Sequence, residues 1–417
     1  MKNFLLAGLL LTGSIALNAQ TTSAVESTTK TGYGLQNGAL SATGTGGAFL
    51  GYRAGYQNTG NYNSFIGHYS GYSNTSGSYN TFTGYYSGYD NTASYNSFYG
   101  YSAGRNNTTG TQNAFFGSFT GYNNSTGSNN AFFGRNAGYT NTTGGDNVFV
   151  GSHSGYYTTT GTSNIFLGTR AGYNNTLGQA NVFLGSDCGQ ANIAGSYNIF
   201  IGLAAGTSNN SVDGGNVFIG HGAGLNNAVG AGNTYLGFLA GQNATGSGSV
   251  FIGNGAGGSE TGNNKLYIAN ATNSTPLVYG DFSNNKVGIG GMVSFPSTAG
   301  GVSLTNYKLF VKGGILTEEV RVQAQSGWAD YVFAKDYKLP TLNEVEKFIA
   351  ANGHLPNVPS AEQIKEEGIA VGEMAKIQQE KIEELTLYAI GQDKKIEQQQ
   401  KEIDELKAAV RMLAERK

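Results

Sequence analysis

Asn164-Ile165-Phe166-Leu167-Gly168-Thr169-Arg170-Ala171-Gly172-Tyr173-Asn174-Asn175-Thr176-Leu177-Gly178 is one copy of a unit that recurs about thirteen times between Ala48 and Gly258. The first glycine of each copy falls at Gly51, Gly67, Gly84, Gly100, Gly117, Gly134, Gly151, Gly168, Gly185, Gly202, Gly220, Gly237 and Gly253. The spacing is 17 residues, with slips to 16 or 18, and a second glycine follows four residues after the first. Phe stands two before the first glycine in every copy but one, where Tyr235 replaces it, and a small residue such as Ala54, Ser70 or Cys188 precedes the second glycine. Self-similarity at a short fixed period marks a solenoid.

Seventeen residues cannot hold two packed helices with their turns, and Gly, Asn, Thr, Tyr and Phe are poor helix formers. Short strands joined by Gly/Asn turns fit, so each copy reads as one coil of a β-solenoid. Asn-x-Phe-x-Gly is the strand, and tracts such as Asn141-Thr142-Thr143-Gly144 are the turn. Side chains alternate between the faces of a strand, so in Ile165-Phe166-Leu167 the ring points one way and the aliphatics the other. A strand apolar on both faces is expected to be covered on both, and the simplest second cover is another copy of the chain. Early copies soften this pattern, with Ser64, Thr81 and Ser97 in place of the aliphatics.

These Asn-x-Phe-Ile-Gly-x-x-Ala-Gly repeats resemble the left-handed β-roll head of trimeric autotransporter adhesins. The family's repeat is typically a few residues shorter, and Phe is not its usual choice. The resemblance covers about half the chain and implies a roll and a homotrimer.

The chain has 417 residues and a formal net charge of −2. It carries no basic tract of the kind that binds nucleic acid. Charge is uneven: the repeats hold Arg53, Arg105, Arg135 and Arg170, no Lys and few acids, while most Lys and Glu lie after Tyr307. The single cysteine, Cys188, excludes an internal disulfide framework and sits in the small-residue slot of its repeat.

Residues 1–19 read as a secretory signal peptide, with Lys2, an apolar run from Phe4 to Leu11 and small residues near Ala19. That run is too short to span a membrane, so no transmembrane span is expected in the mature chain, which is placed outside the cell or on the outer cell surface. Residues 20–47 form a flexible lead or a degenerate first coil. The β-solenoid head occupies 48–264. A β-rich neck (265–325) is expected from Lys265–Ile268, Leu277–Phe282, Lys286–Gly290, Leu309–Val311 and Glu319–Val322.

A small α/β module follows at 326–373. Thr341 with Glu344 predicts a capping box, Leu342, Val345, Phe348 and Ile349 give a helical face, and Asn352-Gly353 ends it. Ser360 with Gln363 caps a second short helix that stops near Gly368. From about Met374 to Lys417 one long helix carries Ile382, Ala389, Ile396, Ile403 and Val410 at one heptad position. Leu385, Gln392, Gln399, Leu406 and Leu413 occupy the other. This is a parallel coiled coil expected to drive homo-oligomerisation. β-Branched residues with Leu nominally favour two strands; the head's resemblance favours three.

Trp328-Ala329-Asp330-Tyr331-Val332-Phe333, His354-Leu355-Pro356, Pro359-Ser360 and Lys381-Ile382-Glu383-Glu384-Leu385-Thr386-Leu387-Tyr388 resemble C-terminal modules of phage tail-fibre-like proteins, including endosialidase-type intramolecular chaperones. Many of those cleave themselves with a Ser/Lys pair. Here the closest serine, Ser326, is followed by Gly327 rather than Asp, and no Lys is near.

The fold class is therefore mostly β: about thirteen 17-residue coils, a β neck, a small α/β module and a C-terminal coiled coil. The sequence contains no Walker loop, dinucleotide fingerprint or metal-binding Cys/His spacing, so no enzyme, cofactor or metal is expected. Tyr56, Tyr72, Tyr89, Tyr122, Tyr139, Tyr156 and Tyr173 recur just after the second glycine. They read either as a packing stripe or as aromatic platforms for a glycan or another cell-surface ligand. The Asn row from Asn63 to Asn233 reads as side-chain amides bonded between coils. Adhesion is the first functional expectation. Self-cleavage by the C-terminal module is the second, and ice or mineral binding by the Thr row, which is lost after Thr176, is the third.

Overall fold

A computed structural model describes residues 30–33, 44–271, 275–323 and 327–415. The signal peptide expected at 1–19 and Ser326 lie outside the described residues, as do 20–29 and 34–43 of the lead. The chain divides into two units. One runs to Phe295 and takes in Lys308–Gly313; the other comprises Pro296–Tyr307 and the residues from Gly314 onward.

The first unit is the β-solenoid. Each coil contributes a strand of three or four residues that pairs in parallel with the next, Phe against Phe: Ile165–Leu167 joins Val148–Val150 on one side and Val182–Leu184 on the other. The Phe side chains form one continuous column, and Phe166 is wholly buried with its centroid 4.9 and 4.8 Å from those of Phe149 and Phe183. This spacing is the hydrogen-bonding distance between strands, so sheet and ring column share one period. Burial of each Phe is worth about 1.5–3 kcal/mol. The flanking residues point outward: Ile165 and Leu167 are exposed, as are Val148, Ile199 and Ile252. The expectation of two apolar faces holds, but one chain closes its core without help from a second.

The glycines make the coil this thin. A Cβ on Gly172 would lie 2.4 Å from the Phe166 ring, and one on Gly168, at φ +142°, would lie 2.4 Å from the carbonyl oxygen of Gly185 in the next coil. Cys188 is wholly buried in the small-residue column and its Sγ lies 3.2 Å from the Phe200 carbonyl oxygen. Burial pushes its thiol pKa far up.

Two buried Asn columns complete the interior. Asn164 donates from Nδ2 to the Gly178 carbonyl at 2.9 Å and accepts from the Asn181 backbone N–H at 3.0 Å. The second column, unread in the sequence, includes Asn175: its Nδ2 donates to Gly178 O at 3.0 Å, and its Oδ1 accepts from Asn192 Nδ2 at 2.6 Å. The columns also explain the slips in period. From the first column to the second is always 11 residues, as from Asn63 to Asn74 and from Asn164 to Asn175. The return is 5 at Asn58–Asn63, 6 at Asn175–Asn181 and 7 at Asn209–Asn216. Length therefore varies only in the Thr/Gly turn.

The sheet extends past both expected borders of the head. Lys30–Tyr33 pairs in parallel with Gly47–Leu50, and Lys265–Ile268 continues the stack on Val250–Ile252. Val278–Asp281 and Lys286–Ile289 then add antiparallel strands, and Leu309–Val311 pairs with the last. Tyr267 meets Phe251 edge-on and ends the ring column. Glu319–Val322 forms no strand.

In the second unit, residues 327–373 carry a 3₁₀ turn at Ala329–Phe333 and helices α1 (Leu342–Asn352) and α2 (Ala361–Glu367), with no strand among the described residues. Both capping boxes form, Thr341 with Glu344 and Ser360 with Gln363, and Gly353 ends α1 in the left-handed conformation. The long helix α3 spans Val371–Ala414, starting three residues before the expected Met374.

Candidate functional site

The Tyr row lies on the outside of the solenoid as a column of its own. Tyr56, Tyr72 and Tyr89 stack at 5.3 and 5.0 Å, and Tyr122, Tyr139, Tyr156 and Tyr173 stack at 5.2, 5.1 and 5.3 Å. Ring planes within a pair differ by 4–14°. The rings cover one another's faces, so what they offer outward is edges and hydroxyls. Arg105, the one non-Tyr residue in this run, does not break the column. Its guanidinium lies 5.7 Å from the Tyr89 centroid and 5.8 Å from that of Tyr122, and Nη1 donates to the Tyr122 hydroxyl at 3.0 Å. A planar cation substitutes for a ring.

Two neighbouring columns were not read from the sequence. Just after the first glycine, Tyr52, His68, Tyr85 and Tyr101 form a column with centroids 4.9, 5.3 and 5.3 Å apart, tilted by 32° at Tyr52–His68 and stacked at the other two steps. One residue further on, Tyr69 and Tyr86 stack at 5.1 Å. The columns interlock, since Tyr85 stands edge-on to Tyr86 at 4.4 Å and Tyr86 packs against Tyr89 at 5.1 Å. Tyr69 and Tyr86 have φ of 57° and 54°, a left-handed conformation that L-residues avoid. Their backbone N–H groups donate to the preceding coil, to Tyr52 O at 2.9 Å and His68 O at 3.0 Å, which fixes the turn whatever side chain it carries. No composition rule flags Tyr there; the signal available was the recurrence of aromatic pairs such as Tyr85-Tyr86 after a first glycine.

The Thr row is spent on the fold. The hydroxyls of Thr108, Ser125, Thr142, Thr159 and Thr176 each donate to a carbonyl of the next coil at 2.9–3.2 Å.

In the second unit, the expected oligomerisation residues Ile382, Leu385, Ala389, Ile396, Ile403, Leu406, Val410 and Leu413 are all exposed along α3. The helix face that is buried carries Glu380, Glu383 and Glu384 instead. Tyr331 donates to Glu380 and Tyr337 to Glu384, Asn357 donates to Glu380 at 3.3 Å, and Lys381 bridges Glu380 and Glu384 at 2.8 and 2.9 Å. Burial disfavours the Glu380 carboxylate, but the bonds from Lys381, Tyr331 and Asn357 hold its pKa below the usual glutamate value. The bond to Glu380, with burial, pushes the Tyr331 phenol up to about 12. Beside this cluster a groove of about 500 Å³ joins Leu342, Val345, Leu355 and Pro356 to Ile382 and Leu385.

Compared with family models, curated proteins and solved structures, the chain finds no match. Among the described residues, no group of three or more His, Cys, Asp or Glu could hold a metal ion, and no helix is long and apolar enough to cross a membrane.

Proposed function

We propose that this is a secreted or surface-exposed fibrous adhesin-like protein, whose solenoid displays side-chain rows to a glycan or other cell-surface ligand and whose helix α3 aligns identical chains, in threes. The observation that carries this reading is a core closed within one chain beneath outward columns of side chains repeated at one period. Repeated weak contacts suit binding by avidity, and several chains multiply it. The exposed heptad residues of α3 supply the apolar seam that such alignment needs. Replacing Tyr72, Tyr89 and Tyr122 with Ser in the full chain tests it. Loss of cell-surface binding at unchanged assembly mass, with the head still folded and its melting temperature lowered only by the lost stacking contacts, is the expected result. Intact binding, or a collapse in stability, would assign the column to packing alone.

A further inference from the structure

Resting on that adhesion reading, we infer that the ligand is an uncharged, extended β-linked polysaccharide lying along the solenoid axis, and that its site is the column Tyr52, His68, Tyr85 and Tyr101 with Tyr69 and Tyr86 beside it.

The molecule contains its own control. Downstream, the position of Tyr85 and Tyr101 is held by Ser118, Arg135, Ser152 and Thr169. The backbone there is unchanged: the preceding glycines keep φ of 134–142° throughout. The ladder bond from the following residue is unchanged too, at 3.0 Å for Tyr86 N to His68 O and 3.0 Å for Arg170 N to Ser152 O. Coil formation does not require an aromatic at this position, so the unbroken run of four in the first coils has another cause; the position turns aromatic again only at the single pair His221 and Phe238, 5.2 Å apart. These rings are also open to solvent, with Tyr85 39% and Tyr101 49% exposed.

The chemistry of the patch selects the partner. Between residues 44 and 125 the only charged side chains are Arg53, Asp90 and Arg105. Both guanidiniums lie over Tyr rings, Arg53 at 5.3 Å from Tyr52 and Arg105 at 4.8 Å from Tyr86. A nucleic acid or highly charged polymer finds no complement here. What repeats is one aromatic edge with its polar tip per coil, at 4.9–5.3 Å. That step is close to the length one pyranose adds to an extended β-1,4-linked chain. Phenol hydroxyls then meet sugar hydroxyls in register, and ring edges cover the apolar C–H patches between them. An α-linked chain coils and falls out of step after one or two sugars. A second copy of this chain is the less fitting occupant, because the aliphatic outer strand face around Ile165, Leu167 and Ile199 is the better apolar contact.

The test titrates the full chain with cello-oligosaccharides of two to six sugars by calorimetry, with isomaltose oligomers as the α-linked control. Affinity is expected to rise with each sugar up to about four, the number of rungs in the column, and then to level off. Tyr52→Ser/Tyr85→Ser/Tyr101→Ser is expected to weaken the longest ligand by about tenfold or more at unchanged assembly mass and β signature, since Ser already stands at Ser118 and Ser152 in folded coils. No binding, no dependence on β-linked length, or equal binding of the α-linked series overturns the proposal. So does a triple variant that binds glycan normally or loses assembly mass, the latter making a second copy the occupant. Cell-surface binding of the same variant separates the two readings: if it is normal while the Tyr72/Tyr89/Tyr122 variant fails, adhesion stands and this site falls.

Discussion

Phe166 in the solenoid is wholly buried, whereas Ile396 in α3 is 55% exposed, although both belong to regular apolar rows. The solenoid turns its row inward and closes glycines and amides around it. The helix presents its row along one side, where Ile396, Ile403 and Leu406 stay exposed. Apolar periodicity alone therefore does not say whether a partner is needed; the diameter of the repeat does. A coil narrow enough for Gly172 to touch the ring of Phe166 completes its core internally, and a single helix never can. Head stability should be independent of protein concentration, and the ordering of α3 should depend on it.

The sharpest way to break this contrast is Gly172→Val. It adds a β-branched side chain at φ 59° and against the Phe166 ring. The left-handed strain and the overpacking together are expected to cost about 2–5 kcal/mol, read as a drop in the head's melting temperature that dilution does not change. Asn164→Ala comes next. It removes the acceptor for the Asn181 N–H and one of the two donors to the Gly178 carbonyl, which keeps Asn175 Nδ2. Orphaning the buried N–H should cost about 1–3 kcal/mol; amide exchange faster at Asn181 than in distant coils would locate the loss, and uniform exchange would refute the ladder account.

On the helical side, Ile396→Asp with Ile403→Asp should lower the assembly mass measured by sedimentation while leaving the β signature intact. An unchanged mass would remove α3 as the aligning element. The Glu380 cluster gives a smaller, pH-dependent effect. Its folded pKa is depressed, so its contribution is present above the unfolded value of about 4.3 and is lost as pH falls through the folded value. Near-UV dichroism from Tyr331 and Tyr337 should fade below about pH 4.3, and Glu380→Gln should flatten that response. The smallest effect is expected from Tyr139→Ser, about 1 kcal/mol from two lost stacking contacts.

Much of this was legible in the chain. The Phe column follows from a fixed residue at a fixed spacing, and the capping boxes at Thr341 and Ser360 follow from local bonding that needs no tertiary context. The aromatic corner was not legible, because Tyr69 and Tyr86 occupy a left-handed turn imposed by neighbouring coils rather than by their own propensity. Arg105 reads as a gap in the Tyr row by residue type, and only its guanidinium's place between Tyr89 and Tyr122 shows that it continues the column. The fate of the outward aliphatics was half legible: alternation placed them on the opposite face, but only the coil's thickness decides whether the core closes without them.

The confinement of length change to one turn carries a genetic consequence. The return from Asn209 to Asn216 takes two residues more than that from Asn58 to Asn63, yet the 11-residue arc between buried amides never varies. Any two coils are thus interchangeable parts with matching joints. Unequal crossing-over between near-identical repeats would lengthen or shorten the solenoid by whole steps of about 4.8 Å, with the parallel backbone ladder continuing one rung along. The same turn accepts extra residues without disturbing that arc. A lineage could therefore adjust how far its first coils stand from their base, or graft a new epitope, without redesigning a core.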